Sequence, residues 1–295
     1  MPDDTQKPAA RRTWASLPEL MRVTACGDGE FSALHSVPNI GGKVFGGQMI
    51  AQGLAAAAAD VADERRLHML QAGFLTPVDL DPPPRYQVTP TLEGRSYSRR
   101  DVVVRQQGRL AFQMSCGFKR REPGPRRAQT MPAVPPPEAL PGLAELADLH
   151  RSELSDGMRR VLTGIPHYQI RPIDGRAFLF GPGEPRLRYW IRPSNGTDAA
   201  PRAQELLLGF LSDAFFNSAM LMPHIRQRLG RDFAAPTLNH SLWLHGGTAV
   251  DEWLLFDTES AVVEDGCGLV NAAIYDRGGM RIASATQESM LRLLG

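Results

Sequence analysis

The sequence predicts an α+β fold in which one unit occurs twice along the chain, a long helix followed by four antiparallel strands. Three observations predict it. Each half carries an apolar helix-forming segment, each half then shows four strand candidates, and the last hairpin of the two halves is similar, QQGRLAF at 106–112 and DRGGMRIAS at 276–284. A helix that is apolar on most faces must be covered on several sides, and a curved antiparallel sheet wrapped around it provides that cover.

In the first half, the segment from Gly47 to Ala62, entered through Gly46, is rich in strong helix formers and predicts a helix. The segment RRLHMLQAGFLTP at 65–77 predicts the first strand. Three further strand candidates follow, of which the last two are joined at Gly108, so that the half ends in an antiparallel meander. These three candidates are Arg85 to Leu92, Ser96 to Gln107, and Leu110 to Phe118.

The segment from Glu122 to Gly142 predicts a linker, because it holds seven of the 24 prolines and cannot form a regular helix or a central strand. Beyond it, Leu143 to Leu162 predicts a mostly polar surface helix, Leu187 to Arg192 a strand, and Leu206 to Met222 one long apolar helix. Four strand candidates follow, with a turn at 277–279. They are Pro236 to Leu244, Trp253 to Val263, Gly268 to Tyr275, and Met280 to Leu291.

Composition excludes several classes of protein. The chain has 295 residues, 42% hydrophobic and 22% charged, with a net charge of +1, which gives no bulk reason to expect nucleic acid or an anionic membrane as a partner. Residues 1–14 predict a disordered arm without an apolar leader, and no segment reaches the length of a membrane span. The cysteines, Cys26, Cys116 and Cys267, are too scattered for a disulfide framework or a structural zinc site, and fit a reducing cytoplasm.

Asp213 is the residue that points to chemistry. It interrupts the apolar helix, and helical spacing puts it on one face with Phe210 and Phe216, so we expect its carboxylate inside the fold. A carboxylate removed from water has either a perturbed pKa or an organised polar site around it. The structural alternative is an Asp that caps an irregularity or points along a crevice to solvent.

Seven short motifs resemble, in their order, the bacterial acyl-CoA thioesterase II family, the TesB-like enzymes. They are VFGGQMIAQGL from Val44, FLTPVDLDPP from Phe74, GRSYSRRDVVVRQQGRLAFQMSCGF from Gly94, YWIRPSNG from Tyr189, LSDAFFNSAML from Leu211, TLNHSLWLH from Thr237, and ATQESMLR from Ala285. The resemblance implies a double hotdog fold. Its expected parts are an arm at 1–14, an N-terminal hotdog at 15–121, a Pro-rich linker at 122–146 and a C-terminal hotdog at 147–295.

The resemblance also implies a catalytic set of Asp213, Thr237 and Gln287, matched motif by motif. Because the GGQ segment of the first half lacks an obvious carboxylate equivalent to Asp213, we expect one site per chain and a largely structural first half. One departure is Asn239, where the family commonly has Asp. Strand alternation places Asn239 on the same face as Thr237, so we expect it to line the site.

Further binding residues are expected from the residue types. Backbone N–H groups at Gly46, Gly47 and Gln48 are a plausible oxyanion hole, because unpaired donors converge where a helix begins. Phe210 and Phe216, with Met220, are candidates to line an acyl tunnel, although residues at such spacing are more often core. Arg99, Arg100 and Arg105 are candidates to contact the phosphates of coenzyme A, and the alternative is a solvated strand face.

The function expected from this resemblance is hydrolysis of acyl-CoA to a carboxylic acid and coenzyme A by attack of water, without a cofactor, metal or covalent intermediate. The alternatives are a hotdog enoyl-CoA hydratase and a non-catalytic acyl-CoA-binding protein. His240 and His245 raise the hydratase possibility, but we expect His240 to be a buried hydrogen-bonding residue. The expected partners are acyl-CoA and further copies of this chain, in a homodimer or homotetramer, and neither nucleic acid nor membrane.

Overall fold

The computed structural model describes residues 15–195, 200–224, 233–246, 250 and 252–293. The predicted arm at 1–14 lies outside these residues. The helices are α1 (Leu17–Met21), α2 (Gly46–Ala57), α3 (Leu143–Leu149), α4 (Asp156–Thr163), α5 (Gly175–Phe180), α6 (Pro201–Leu211) and α7 (Ser218–Leu221). The strands of the first half are β1 (Val23–Gly27), β2 (Glu30–Ala33), β3 (Arg65–Phe74), β4 (Arg85–Glu93), β5 (Tyr97–Gln106) and β6 (Arg109–Arg120). Those of the second half are β7 (Tyr168–Pro172), β8 (Arg186–Pro193), β9 (Phe233–Ala234), β10 (Thr237–Leu244), β11 (Leu254–Glu264), β12 (Cys267–Tyr275), β13 (Arg281–Met290) and β14 (Arg292–Leu293).

Twelve strands form one antiparallel sheet, in which the second half repeats, from the opposite edge, the strand order of the first half. The order is β1-β2-β4-β5-β6-β3-β10-β13-β12-β11-β8-β7, so each strand of the first half has a counterpart in the second, and β3 pairs with β10 at the centre. This is the predicted double hotdog. The four strands predicted in each half are confirmed as β3 to β6 and β10 to β13, and Leu187 to Arg192 lies within β8.

The register irregularities repeat as well. A bulge between Leu67 and Met69 in β3 has its counterpart between Thr237 and Asn239 in β10. The ladder between β4 and β5 shifts at 90–92, and the ladder between β11 and β12 shifts at 260–262. Because bulges reorient side chains and are specific features of a sheet, their recurrence supports the internal repeat more strongly than strand order alone.

Helices α2 and α6 pack against each other on the concave side of the sheet. A Cβ atom at Gly209 would lie 2.9 Å from Leu54 Cδ1, so the missing side chain lets the two helices approach closely. Both helices are buried over most of their length, including the amides of Gln48 and Gln52 and the carboxylate of Glu205. Their burial explains the apolar composition of both segments.

Three helix predictions are wrong in extent. The helix predicted from Gly47 to Ala62 is α2, which ends at Ala57. The segment from Leu206 to Met222 is not one helix, because α6 ends at Leu211 and only α7 follows, at Ser218. The polar segment from Leu143 to Leu162 forms α3 and α4 rather than one helix, with Ser155 capping the second through its hydroxyl.

The Pro-rich segment is irregular, as predicted, and it contacts the outer face of the second half of the sheet. Trp190 Nε1 donates to the carbonyl of Pro135 over 2.9 Å, and Met131 and Val134 pack beside Trp253. The segment therefore covers apolar side chains that the sheet would otherwise expose. Across the described ranges, no helix combines the length and the apolar character needed to span a membrane.

Candidate active site

Asp213 lies where the second apolar helix is interrupted. The Tyr189 hydroxyl donates to the carbonyl of Ala214 over 2.8 Å, and Phe215 has a φ of 58°, a left-handed conformation that bulky residues rarely adopt. Asn217 Nδ2 donates to the carbonyl of Ala235 over 2.9 Å and fixes the far end of the irregular segment. The interruption is thus held in place by neighbouring strands, and it is a feature of the kind that clusters at functional sites.

The start of α2 approaches Asp213 at two glycines. A Cβ atom at Gly46 would lie 2.6 Å from Asp213 Oδ2, and one at Gly47 would overlap the carbonyl oxygen of Phe210. A larger residue at either position would displace the carboxylate or the helix. The GGQ motif is therefore explained by the close approach of the backbone to Asp213 and α6.

The environment of Asp213 raises its pKa to about 7, and the cause is burial, which disfavours the charged carboxylate. Hydrogen bonding from the Gly47 N–H and from the Thr237 hydroxyl acts in the opposite direction and lowers the pKa. The side chain nevertheless keeps partial exposure. A carboxylate with a pKa near neutrality and a path to solvent suits a general base.

The bulge in β10 determines which side chains face Asp213. In a regular strand Thr237 and Asn239 would share a face, but the extra residue at 238 lets Thr237 and His240 both face inward. His240 is fully buried, while Asn239 is exposed. The prediction that Asn239 lines the site is therefore wrong, because its amide points outward and donates to Glu288 Oε2 over 2.7 Å.

Gln287 of β13 connects the inward-facing residues. Its Nε2 donates to Thr237 Oγ1 over 3.0 Å and to Ser289 Oγ over 3.2 Å. Its Oε1 lies 2.8 Å from His240 Nδ1. The structure thus brings Asp213, Thr237 and Gln287 together, with Thr237 between the other two.

Two candidate groups at the start of α2, the Gln48 side chain and the Gly47 N–H, have hydrogen-bond partners within the protein. The Gln48 amide is fully buried, accepts from the N–H of Val37 over 2.8 Å and donates to the carbonyl of His35 over 2.7 Å, so it supports backbone and does not face a ligand. The Gly47 N–H, one of the expected oxyanion donors, contacts Asp213 instead. Of the expected oxyanion donors only the Gly47 N–H is therefore corrected, since a buried helix start must satisfy its own donors first.

The arginine candidates separate because successive residues of a strand face opposite sides. Arg100 is buried and pairs with Asp60 over 3.1 Å and with Glu93 over 2.9 Å, so it is part of a structural ion-pair network and unavailable to coenzyme A. Arg99 and Arg105 remain exposed.

The aromatic candidates are part of the core. Phe210 is 1% exposed and packs edge-on against Phe45, with 5.3 Å between ring centroids. Phe216 is fully buried and packs edge-on against His240 at 5.4 Å. A cavity of about 410 Å³ lies near Ala55 and Leu206, away from the end of α6 where Asp213 lies. Their burial therefore indicates that the two phenylalanines are core residues and not the expected lining of an acyl tunnel.

Sequence reasoning missed the part played by Ser212 and by the β10 bulge. Ser212 Oγ lies 2.9 Å from His240 Nε2 and 2.9 Å from the carbonyl of Gly209, so a second hydrogen-bonded residue sits next to Asp213. A hydroxyl beside the only carboxylate of an apolar segment was the available signal. The bulge has no such signal in TLNHSLWL, because a register shift depends on the neighbouring strand.

Two family models match consecutive parts of the chain. The acyl-CoA thioesterase N-terminal domain matches residues 34–119, and the acyl-CoA thioesterase C-terminal domain matches residues 128–291. The chain belongs to the acyl-CoA thioesterase family. It is accordingly an acyl-CoA thioester hydrolase of the TesB type, as the motifs predicted.

Individual relatives agree with this assignment. The chain is 28% identical over 260 residues to human acyl-coenzyme A thioesterase 8, covering 85% of this chain and 81% of the relative. It is 28% identical over 251 residues to acyl-CoA thioesterase 2 of Haemophilus influenzae, covering 85% and 88%. The crystal structure of an acyl-CoA thioesterase II, TesB2, from Mycobacterium marinum superposes with a TM-score of 0.77 at 24% identity, covering 94% of this chain and 98% of that one, which shows a shared fold.

Proposed function

We propose that Asp213 is the general base of this thioesterase and that Thr237 and Gln287 help to hold the attacking water. The observation that carries the proposal is a carboxylate whose pKa is raised to about 7, joined through Thr237 to a buried amide. Above this pH the carboxylate is ionised and accepts a proton, and below it the base is lost. General-base assistance of this kind contributes about 10² to 10⁴ in rate.

The reaction proceeds in two steps. In the first, the water oxygen forms a bond to the thioester carbonyl carbon as one water proton moves to Asp213, and the carbonyl oxygen becomes an oxyanion. In the second, the carbon–sulfur bond breaks, the sulfur leaves as the thiolate of coenzyme A, and Asp213 returns the proton to it. The products are a carboxylic acid and free coenzyme A, and Asp213 is restored.

The donors for the oxyanion are proposed to be N–H groups at the start of α2 other than that of Gly47. The supporting observation is that Gly46 lies directly against Asp213, so a carbonyl carbon attacked by a water on Asp213 would be next to this helix start. Backbone donors of this type are already oriented before the reaction, which is why they stabilise developing charge effectively.

The decisive experiment measures release of free thiol from short to long acyl-CoAs by wild type, Asp213→Asn and Thr237→Val. We expect Asp213→Asn to lower kcat by about 10² to 10⁴-fold, and Thr237→Val to lower it less, with Thr237→Ser as the matched control that keeps the hydroxyl. Wild-type turnover by a folded Asp213→Asn protein would refute the assignment of the base.

The geometry also distinguishes the alternatives. A hydratase needs an acid–base residue free to reach the substrate, but both ring nitrogens of His240 are engaged by Gln287 and Ser212, and burial lowers its pKa to about 4. His240 is the buried hydrogen-bonding residue that the sequence predicted. A non-catalytic binder would bind acyl-CoA without thiol release in the same assay.

The substrate, the assembly and the cellular location are part of the same proposal. We propose acyl-CoA as the substrate, a homodimer or homotetramer as the assembly, and the cytoplasm as the location, supported by three free cysteines among the described residues. Light scattering coupled to size exclusion tests the assembly, and a single species of 32.4 kDa would exclude it.

A further inference from the structure

A buried chain of polar groups leads away from the proposed base. Ser212 and His240 are fully buried and Gln287 is 1% exposed, and of the three only Ser212, the C-cap residue of α6, lies at a helix end. Consecutive distances along the chain are 2.9 Å from Ser212 Oγ to His240 Nε2, 2.8 Å from His240 Nδ1 to Gln287 Oε1, and 3.0 Å from Gln287 Nε2 to Thr237 Oγ1. Buried networks of this kind stabilise a structure only when every member is satisfied.

The orientation of the Gln287 amide in the structure sets one direction for the hydrogen bonds. An amide oxygen can only accept, so His240 Nδ1 carries the proton that is donated to Gln287 Oε1. His240 is neutral, because burial lowers its pKa to about 4. Its Nε2 is therefore unprotonated and accepts from the Ser212 hydroxyl, whose one proton is then not donated to the carbonyl of Gly209, also 2.9 Å away.

The same chain of groups has a second self-consistent direction. In it, the Ser212 hydroxyl donates to the carbonyl of Gly209, His240 Nε2–H donates to Ser212, and the Gln287 amide is turned so that Nε2 donates to His240 Nδ1. The Gln287 oxygen would then take the hydroxyl proton of Thr237. Since a hydroxyl has one proton, Thr237 could no longer donate to Asp213.

We propose that His240 is a positioning residue of the thioesterase site, whose Nδ1–H tautomer fixes the Gln287 amide so that the hydroxyl proton of Thr237 remains available to Asp213. The inference rests on the proposed function. His240 does not touch the reacting atoms and acts through Gln287 and Thr237.

The surroundings of His240 are built to hold this arrangement. The β10 bulge places Thr237 and His240 on the same inner face, so that one Gln287 side chain reaches both. Phe216 packs edge-on against the imidazole, with an interplanar angle of 81°, and restricts rotation of the ring. The equivalent residue of the first half, paired in the same way with the strand that corresponds to β13, is Leu70.

The test compares two substitutions of one residue. In His240→Asn the amide Nδ2 takes the place of the imidazole Nδ1 and keeps the donor to Gln287. In His240→Leu the donor is lost, while Leu70 shows that this fold accommodates a leucine at the matching position. We expect His240→Leu to lower kcat by about 10 to 100-fold with KM changed less than about twofold, and His240→Asn to recover most of kcat.

The pH profile gives a readout that a purely structural role would not move. Loss of the Thr237 donation raises the pKa of Asp213, so the acid limb of the kcat profile should move to higher pH in His240→Leu, by about half a unit to one unit, and return in His240→Asn. The other titratable groups facing Asp213 are Tyr168 of β7 and Tyr189 of β8, whose pKa values are raised by burial, together with His240 itself. None of these changes charge near pH 7, so the limb reports Asp213.

Nitrogen NMR of wild-type imidazole tests the tautomer independently of any variant. A protonated Nδ1 and an unprotonated Nε2 at His240 are expected, and the opposite tautomer would overturn the inference. A folded His240→Leu protein with wild-type kcat and an unmoved acid limb would also overturn it. Asp213→Asn is measured alongside: if it is inactive while His240→Leu is normal, the positioning role alone fails, whereas an active Asp213→Asn protein removes the proposed function itself.

Discussion

The two halves of the sheet place a bulge at the same position, yet only in the second half are the inward-facing side chains at the bulge polar. Facing inward there are Thr237, His240 and Gln287. At the equivalent positions of the first half the inward residues are Leu67, Leu70 and Cys116. Burial raises the pKa of the Cys116 thiol to about 12, so this side chain acts as a small apolar residue. The backbone geometry is therefore shared, and the side chains decide which end has a site.

A carboxylate lies near each of the two bulges, and the two carboxylates differ in the charge of their partners. Glu205 of α6 approaches the first-half bulge, where it accepts from Arg66 Nε over 2.7 Å, from the N–H of Leu67 over 3.2 Å and from Arg202 over 2.8 Å. Asp213 approaches the second-half bulge, where the groups that lower its pKa are neutral. Glu205 joins the halves through Arg66 of β3 and also pairs with Arg202 of its own helix, whereas Asp213 has only neutral groups lowering its pKa, which stays at about 7.

Exchanging the residues of the two ends should have the largest effect. Gln287→Cys gives the second half the residue of the first, and we expect kcat to fall by about 100-fold, because Thr237 and His240 both lose a partner. Thiol release by wild type and variant measures this. The reverse exchange, Cys116→Gln, places an amide between Leu67 and Leu70 and should create no activity, while lowering the free energy of unfolding by about 2 kcal/mol. A Cys116→Gln protein that is as stable as wild type and turns over acyl-CoA faster would contradict the comparison.

Removing the ion pairs of Glu205 should lower the free energy of unfolding and leave turnover nearly unchanged. Glu205→Ala leaves Arg66 and Arg202, each about one-fifth exposed, without their partner. We expect a loss of about 2 kcal/mol in the free energy of unfolding, measured by denaturant titration. Turnover of the folded fraction should stay within a factor of two, and an Arg202→Ala variant serves as the control from the other side of the pair.

The raised pKa of Asp213 predicts an opposite effect on stability at the active end. A carboxylic acid whose pKa is higher in the folded than in the unfolded state destabilises the fold when it ionises. The destabilisation grows as the pH rises from the unfolded pKa of 3.8 to the folded pKa of about 7, and it is complete above that pH. Asp213→Asn should therefore be more stable than wild type at pH 8, by about 1 to 2 kcal/mol. The difference should shrink as the pH falls below 7 and be lost near pH 4. Melting temperatures across this range measure it, and a variant that is less stable at pH 8 would contradict the raised pKa.

Asn239 should give the smallest effect. Because the bulge points its amide outward to Glu288, Asn239→Asp should change kcat/KM by less than a factor of two, despite restoring the residue common in the family. A new carboxylate beside Glu288 should instead lower stability by a few tenths of a kcal/mol, about the effect of a like-charge surface pair. A large change in turnover would place the residue in the site after all.

Much of the fold could be predicted because it depends on local pattern. The alternation of residues in β3 to β6 and β10 to β13 gave the strands, and the apolar segments gave α2 and α6. The short strands β1, β2 and β7, at or next to the sheet edges, and the small helix α5 were missed, since such short elements carry too few residues to show a period. The break after Leu211 was missed because Gly209 lies inside α6, before the break, and residues 212–222 contain no proline or glycine that would indicate it.

Part of the candidate site could also be predicted, and the error at Asn239 shows why the rest could not. Residue types at Asp213, Thr237 and Gln287 were visible as motifs. Whether Asn239 or His240 turns inward depends on how β10 pairs with β13, and the sequence of one strand does not state its register. The exclusion of the Gln48 side chain and of Arg100 likewise depended on partners distant in the chain, the carbonyl of His35 and the carboxylate of Asp60.

The sequence by itself determined the repeat, the family and the order of the residue types, because each is written in local periodicity and short motifs. Tertiary structure decided which polar residues form a site. It ended α6 before Asp213, inserted the bulge before His240 and placed the start of α2 against the carboxylate. The physical reason is that the burial that raises the pKa of Asp213, and the hydrogen bonding that lowers it, arise between segments far apart in the chain, Gly47 and Asp213 among them.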